Sequence, residues 1–320
     1  MKMHLFERKG FMNFADMHCD TAMEMLEKGK KLKSNDLHIS LDKVPFEGYI
    51  QTFAHFTHDN IKTEDAFDYY LKMHNVLLKE IDENKKLIRQ INKKSDMTDI
   101  FENGGYGALF SVENGKIIGN DLSRIEKLRK DGIKIFSFTW NAANQLAGGC
   151  ESDEDFTKLG LEAVKELENQ DIILDVSHLN QKSFYTLYKN SKKPLIATHS
   201  NCYSICSHRR NLTDEQIKII FDRKGIVGIN LLYCFIKDAA SCDIDDMMKH
   251  IEHYLELGGE DFIAFGTDFD GIDKGPEELK DISYMPLVVK EMEKRNYSKD
   301  LIEKIMYKNF YNFMIKNMGE

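Results

Sequence analysis

The feature that most constrains this chain is an alternation. Short apolar runs, rich in β-branched and aromatic residues, are separated by stretches with helical spacing. Eight such runs occur: 14–20 (FADMHCD), 49–57 (YIQTFAHFT), 106–113 (YGALFSVE), 133–140 (IKIFSFTW), 171–178 (DIILDVSH), 194–200 (PLIATHS), 225–231 (GIVGINL) and 262–271 (FIAFGTDFDG). Most are near-continuously apolar, as strands covered on both faces must be. Apolar residues three and four apart predict helices over 63–92, 153–169 and 285–316. Thr213, with Gln216 three residues on, reads as a capping box opening a helix at 213–220. Repeated strand, helix and strand implies a parallel sheet, and eight units imply a closed (β/α)8 TIM barrel of the α/β class. An open, nucleotide-binding sheet would usually place a glycine-rich loop after its first strand, but here that strand runs into DMHCDTAM, which has no glycine. With no long linker, low-complexity segment or internal repeat, residues 1–320 are expected to form one domain.

Composition narrows the partners. The chain carries 44 basic and 53 acidic residues, a net charge of −9, with no basic stripe, so nucleic acid is not an expected partner. The six cysteines (19, 150, 202, 206, 234, 242) form no C-x-x-C pair, which fits a reduced, cytoplasmic setting. Cys202 and Cys206 are spaced one helical turn apart, with two packed thiols as the simpler reading. The start, MKMHLFERKGFMNF, lacks an apolar signal-peptide core, and NFMIKNMGE at the end lacks a lipid-anchor tail. No apolar run approaches the roughly 18–20 residues needed to cross a bilayer, so no membrane is expected as a partner.

In a TIM barrel, chemistry gathers at the C-terminal ends of the strands. Read that way, strand one ends at His18 and Asp20, strand three at Glu113, strand five at His178, strand six at His199, and strand eight at Asp268 and Asp270. His18 and Asp20 are two apart and so share a strand face, leaving Cys19 pointing away between them. A buried carboxylate there needs a compensating cation. Imidazole and carboxylate donors suit Zn²⁺ first, then Mn²⁺, Co²⁺ or Fe²⁺. His55 and His58, after strand two, are rival histidines ranked lower because no carboxylate accompanies them at the strand end.

These residues sit in motifs that resemble the membrane (renal) dipeptidase family, zinc metallopeptidases of the amidohydrolase-like superfamily. The matching segments are DMHCDT, ALFSVENG, IKIFSFTWNAAN, LDVSHLN, THSNCYSICSHRRNLTDEQI and FGTDFDGI, spread from about residue 14 to about 310. The 21-residue step from His178 to His199, with Arg210 eleven further on, is the most specific part. The resemblance implies a barrel of the metal-dependent hydrolase type with two Zn²⁺ per chain. His18 and Asp20 would hold one ion, His178 and His199 the other, and Glu113 would bridge both. It further implies that Asp268 holds the bridging water and shuttles a proton, and that Arg210 binds the substrate's C-terminal carboxylate. The implied activity is hydrolysis of dipeptides, with D-configured C-terminal residues tolerated; a homodimer is compatible with it.

The chain departs from the family pattern where a histidine is usual: it reads Thr139-Trp140-Asn141, so Trp140 and Asn141 become the expected substrate-facing pair. Asn114 stands where glycine is frequent. Two rival functions keep the same scaffold: another amidohydrolase or lactonase on the same metals, and a non-catalytic barrel that only binds.

Overall fold

The structure is a computed structural model that describes residues 12–319. The N-terminal stretch read above for a leader lies largely outside the described residues. Among the described residues, nine strands form one parallel sheet: β1 (Phe14–Cys19), β2 (Gly48–Phe56), β3 (Ile88–Gln90), β4 (Gly105–Glu113), β5 (Ile133–Ser137), β6 (Ile173–Asp175), β7 (Leu195–Ile196), β8 (Val227–Ile229) and β9 (Ile263–Phe265). The order is β7-β6-β5-β4-β2-β1-β9-β8. A parallel bridge between Ala197 and Val227 joins the two ends. There the Ala197 amide donates to the Ile226 carbonyl at 3.0 Å, and the Gly228 amide to the Ala197 carbonyl at 2.8 Å. All eight expected strands are present, and with helices between them they make the (β/α)8 barrel.

The ninth strand corrects the reading of 63–92 as one helix. That helix is Thr63–Glu83, and Asn84 ends it. Ile88 and Ile91 continue the helical spacing only by coincidence. Ile88 sits in β3, paired with Tyr106, while Ile91 packs inside the lower barrel against the backbone of Gly107. β4 therefore shares one edge between two partners: β3 takes residues 106–108, and β5 takes 110–113.

Two further helices differ from expectation. The helix expected at 153–169 begins at Lys158, because Thr157 Oγ1 accepts the Gly160 amide at 3.0 Å and fixes the start there. The 285–316 stretch is broken at Asn296, whose φ of +61° ends the Pro286–Lys294 helix. It resumes as Lys299–Glu303, a π turn at Lys304–Lys308, and Asn309–Asn317. The capping box at Thr213 and Gln216 is present as read. Cys202 and Cys206 lie not on a helix but in a single turn, where the Cys206 amide donates to the Cys202 carbonyl at 3.1 Å.

The barrel interior is filled by small and aliphatic side chains. Ala15, Met17, Ile50, Leu109, Ile135, Ile196 and Ala264 are wholly buried there. Phe310 and Met314 of the last helix pack into the same cluster. A larger apolar layer lies between strands and outer helices. Among the described residues, no helix is long and apolar enough to cross a membrane.

The seam where β7, β8 and β9 meet tolerates no side chain. A Cβ on Gly266 would sit 1.7 Å from the Thr198 carbonyl oxygen, and one on Gly228 would sit 2.0 Å from it. Gly266→Ala should therefore destabilise the fold by about 3 kcal/mol through overpacking against backbone. A denaturant midpoint unchanged from the parent would refute so tight a seam.

Candidate metal centre

The mouth of the barrel is polar where its interior is not. Glu113 is the last residue of β4, and His18 the fifth of the six in β1. A register irregularity between Asp16 and Cys19 resets the strand just before the site. Asp20 follows β1 directly and stands at the N-terminal end of the Thr21–Lys28 helix. Cys19 is buried in the outer apolar layer, facing away as its position between His18 and Asp20 implies.

His178, His199 and Asp268 do not end strands. β6, β7 and β9 stop at Asp175, Ile196 and Phe265, so each of the three side chains is delivered by the loop three residues on. Two of these loops use left-handed backbone: φ is +70° at His178 and +61° at Asp268. Non-glycine residues rarely take that conformation, and they concentrate where function requires a particular side-chain direction.

The side chains converge on Glu113. Its Oε2 lies 3.1 Å from His18 Nε2, and its Oε1 lies 2.7 Å from His178 Nε2 and 3.9 Å from His199 Nε2. His18 Nε2 is also 3.7 Å from Asp20 Oδ2 and 3.7 Å from Asp268 Oδ1. All six side chains are essentially buried. His18 with Asp20 and Glu113, Glu113 with His178 and His199, and His18 with His199 and Asp268 each bring their donor atoms within 4.8 Å of one another.

Four observations fit divalent cations. His18 Nε2, Asp20 Oδ1 and Glu113 Oε2 are buried without a hydrogen-bond partner, an expensive condition for polar atoms. The Nε2 atoms of His178 and His199 face each other at 2.9 Å. The donor set is nitrogen and oxygen only, which suits Zn²⁺ and its neighbours. Finally, the protein groups alone strain one another's titration. Burial, reinforced by Glu113, pushes Asp20 up to about 8, and burial pushes Asp268 up to about 6. Burial, with the charge of Arg210, pulls His178 down to about 4. Burial opposes charge on His18 and Glu113 too, but their mutual attraction outweighs it, raising His18 and holding Glu113 well below the usual carboxylate range. A cation among these groups would supply the positive charge that they otherwise gain only by protonation.

The remaining expected residues divide. Arg210 lines the cavity above the site and is 5% exposed. Its Nη2 donates to the His199 carbonyl at 3.2 Å and its Nη1 to Ser200 Oγ at 3.4 Å, while Nε has no partner. The guanidinium lies 5.5 Å from the Phe235 ring centre. Trp140 lines the same cavity and meets Phe56 and His58 edge-to-face, each at 5.2 Å. Asn141 also borders the cavity, but its Oδ1 is engaged by His178 Nδ1 at 3.0 Å and the Cys150 thiol at 3.2 Å. With Asn141 Oδ1 accepting from an Nδ1–H, His178 would turn its Nε2 lone pair toward Glu113.

Three residues read as strand-end candidates or rivals lie elsewhere. Asp270 accepts from the His38 amide at 2.6 Å and from Thr21 Oγ1 at 2.6 Å, tying the 37–39 loop to the barrel. His55 faces outward, between the Ser111 carbonyl and His74. His58 borders the cavity without joining the cluster around Glu113. Asn114 takes φ +76° and bonds the Thr57 carbonyl at 2.8 Å, so it supplies the left-handed turn itself and stitches neighbouring loops together.

Sequence reasoning missed the residues behind the site. Asn230 Nδ2 donates to Asp268 Oδ2 at 2.9 Å. Asp16 accepts from the Thr267 amide at 2.9 Å and its hydroxyl at 2.6 Å. The available signal was local: Asp16 precedes His18 by two, and Thr267 immediately precedes Asp268.

The cavity over the site is about 820 Å³, large enough for a small peptide. A family model described as membrane dipeptidase, peptidase family M19, matches residues 10–317. An uncharacterized protein from the pqqA 5′ region of Klebsiella pneumoniae is 31% identical over 201 residues, covering 59% of this chain and 73% of the relative. A Schizosaccharomyces pombe protein named as an uncharacterized dipeptidase is 28% identical over 246 residues, covering 72% of this chain but only 59% of its own length. Among solved structures, a Rhodobacter sphaeroides metallo peptidase liganded with a phosphinate mimic of L-Ala-D-Ala superposes with a TM-score of 0.91. It is 23% identical, with 97% of this chain and 100% of that one covered, so the likeness concerns the fold.

Proposed function

The chain belongs to the membrane dipeptidase family, peptidase family M19, and from that premise we propose that it is a metallo-dipeptidase cleaving the single peptide bond of a dipeptide. The observation that carries the reading is one carboxylate, Glu113, shared between two groups of donors, beneath a cavity bordered by a guanidinium whose Nε has no partner. His18 and Asp20 would hold one divalent ion and His178 and His199 a second, with Glu113 touching both. The ions are proposed to be Zn²⁺, with Mn²⁺, Co²⁺ or Fe²⁺ as alternatives. When bound, such a pair supplies an acidified water and polarises the scissile carbonyl.

The chain's own groups do the rest. Asp268 Oδ1 would accept the proton from water and return it to the leaving amine, while Asn230 holds its other oxygen. Arg210 would anchor the substrate's α-carboxylate through its free Nε edge, which fixes the distance from carboxylate to scissile bond and so selects dipeptides. Trp140 and His58 would wall the cavity beside the peptide, and Asn141 would keep His178 oriented.

The test uses the chain stripped of metal and then titrated with Zn²⁺. Two ions should bind per chain, restoring turnover of dipeptides, L,D pairs included, and not of tripeptides. Turnover of lactones without dipeptides would replace this reading with the lactonase one. Failure to bind metal would favour a barrel that only binds.

A further inference from the structure

His199 is held from behind by a buried relay that reaches across two strands. Its Nδ1 lies 2.8 Å from Thr198 Oγ1. The Thr198 hydroxyl in turn lies 2.5 Å from Asp175 Oδ2. Asp175 is wholly buried and engaged on both oxygens: Oδ1 accepts the Ser177 and Thr198 amides, each at 2.9 Å, and Oδ2 also accepts Ser137 Oγ at 2.6 Å. The His199 amide donates to Ser177 Oγ at 3.2 Å.

We infer that Asp175, acting through Thr198, is a positioning residue that holds His199 with its proton on Nδ1 and its Nε2 bare toward Glu113 and His178. The reasoning is donor counting. Of the polar atoms facing the Thr198 hydroxyl, Asp175 Oδ2 at 2.5 Å, His199 Nδ1 at 2.8 Å and Ser177 Oγ at 3.3 Å, the carboxylate is the nearest and can only accept, so the Thr198 hydrogen is committed to Asp175. The Thr198 oxygen then has only lone pairs to offer, and the imidazole atom facing it must be the N–H. The other nitrogen, 2.9 Å from His178 Nε2, is left as a ligand atom. Asn141 does the same for His178 with an amide oxygen. The two histidines reach one tautomer by unrelated means.

The same brace recurs across the barrel. Asp16 Oδ1 accepts the His18 amide at 3.2 Å and the Thr267 amide at 2.9 Å, and its Oδ2 accepts the Thr267 hydroxyl. In each copy a buried strand aspartate grips a threonine directly before a site residue, Asp268 in one and His199 in the other. Only at Thr198 does the hydroxyl also meet an imidazole.

The inference rests on His199 being a ligand, and the experiment separates the two. Histidine-labelled, metal-free chain reports the His199 tautomer by ¹⁵N NMR, and calorimetry with Zn²⁺ reports affinity. The parent should show the Nδ1–H form. Thr198→Val keeps the shape, but should lose that tautomer and weaken Zn²⁺ binding by about 10- to 100-fold. Thr198→Ser should restore both. Asp175→Asn, which leaves Thr198 intact, should resemble Thr198→Val. A Thr198→Val chain that merely melts lower, with tautomer and affinity unchanged, overturns the inference. A parent with the Nδ1–H form that binds no Zn²⁺ leaves the relay standing and removes the ligand reading instead.

Discussion

Replacing Glu113 by glutamine should abolish both metal loading and turnover. Among the described residues, Glu113 is the side chain whose two oxygens reach both donor groups, at 3.1 Å from His18 and 2.7 Å from His178. The amide keeps the shape but loses the charge, and it turns an N–H₂ toward an imidazole nitrogen that has a lone pair. Both ions would lose a ligand and the charge that neutralises them. The expected result is fewer than one ion per chain after gel filtration, and kcat/KM lower by about three orders of magnitude, equivalent to about 4 kcal/mol of transition-state stabilisation. Full turnover with two ions still bound would sink the bridging role.

Replacing Arg210 by alanine should act on the substrate rather than on the metals. The guanidinium is nearly enclosed, yet its Nε has no partner, so it has bonding capacity directed at something other than the protein. A substrate carboxylate would complete it with charge-assisted bonds. Losing them should lower kcat/KM for dipeptides about 100-fold, mostly through KM, while dipeptides with an amidated C-terminus change little. Arg210→Lys should rescue little, because a point charge does not reproduce the planar fork. Equal losses on free and amidated substrates would remove the carboxylate assignment.

Much of the barrel was legible because its strands are covered on both faces, and that burial writes itself into residue type. The spacing rule failed where the chain reused it for another purpose. Ile88 and Ile91 keep helical spacing with 63–83 but are buried by β4 and the barrel interior, a tertiary contact with no local signature. At the site, residue types survived better than strand ends. His178 and Asp268 were found as candidates, although the left-handed turns that aim them are a matter of backbone direction. Asp270 shows the reverse: it has the right type and position, yet its oxygens are taken up by the 37–39 loop.

What the sequence determined by itself, then, is the alternation that closes a parallel barrel, and a set of imidazoles and carboxylates costly to bury without a cation. Only the tertiary structure decided which of them meet, because donor distances of a few ångströms join residues up to 250 positions apart, as between His18 and Asp268. It alone carries the inference about which nitrogen of His178 and of His199 is left bare. That choice depends on Asn141 and Thr198, side chains that become informative only when the fold sets them 3.0 and 2.8 Å from a ring.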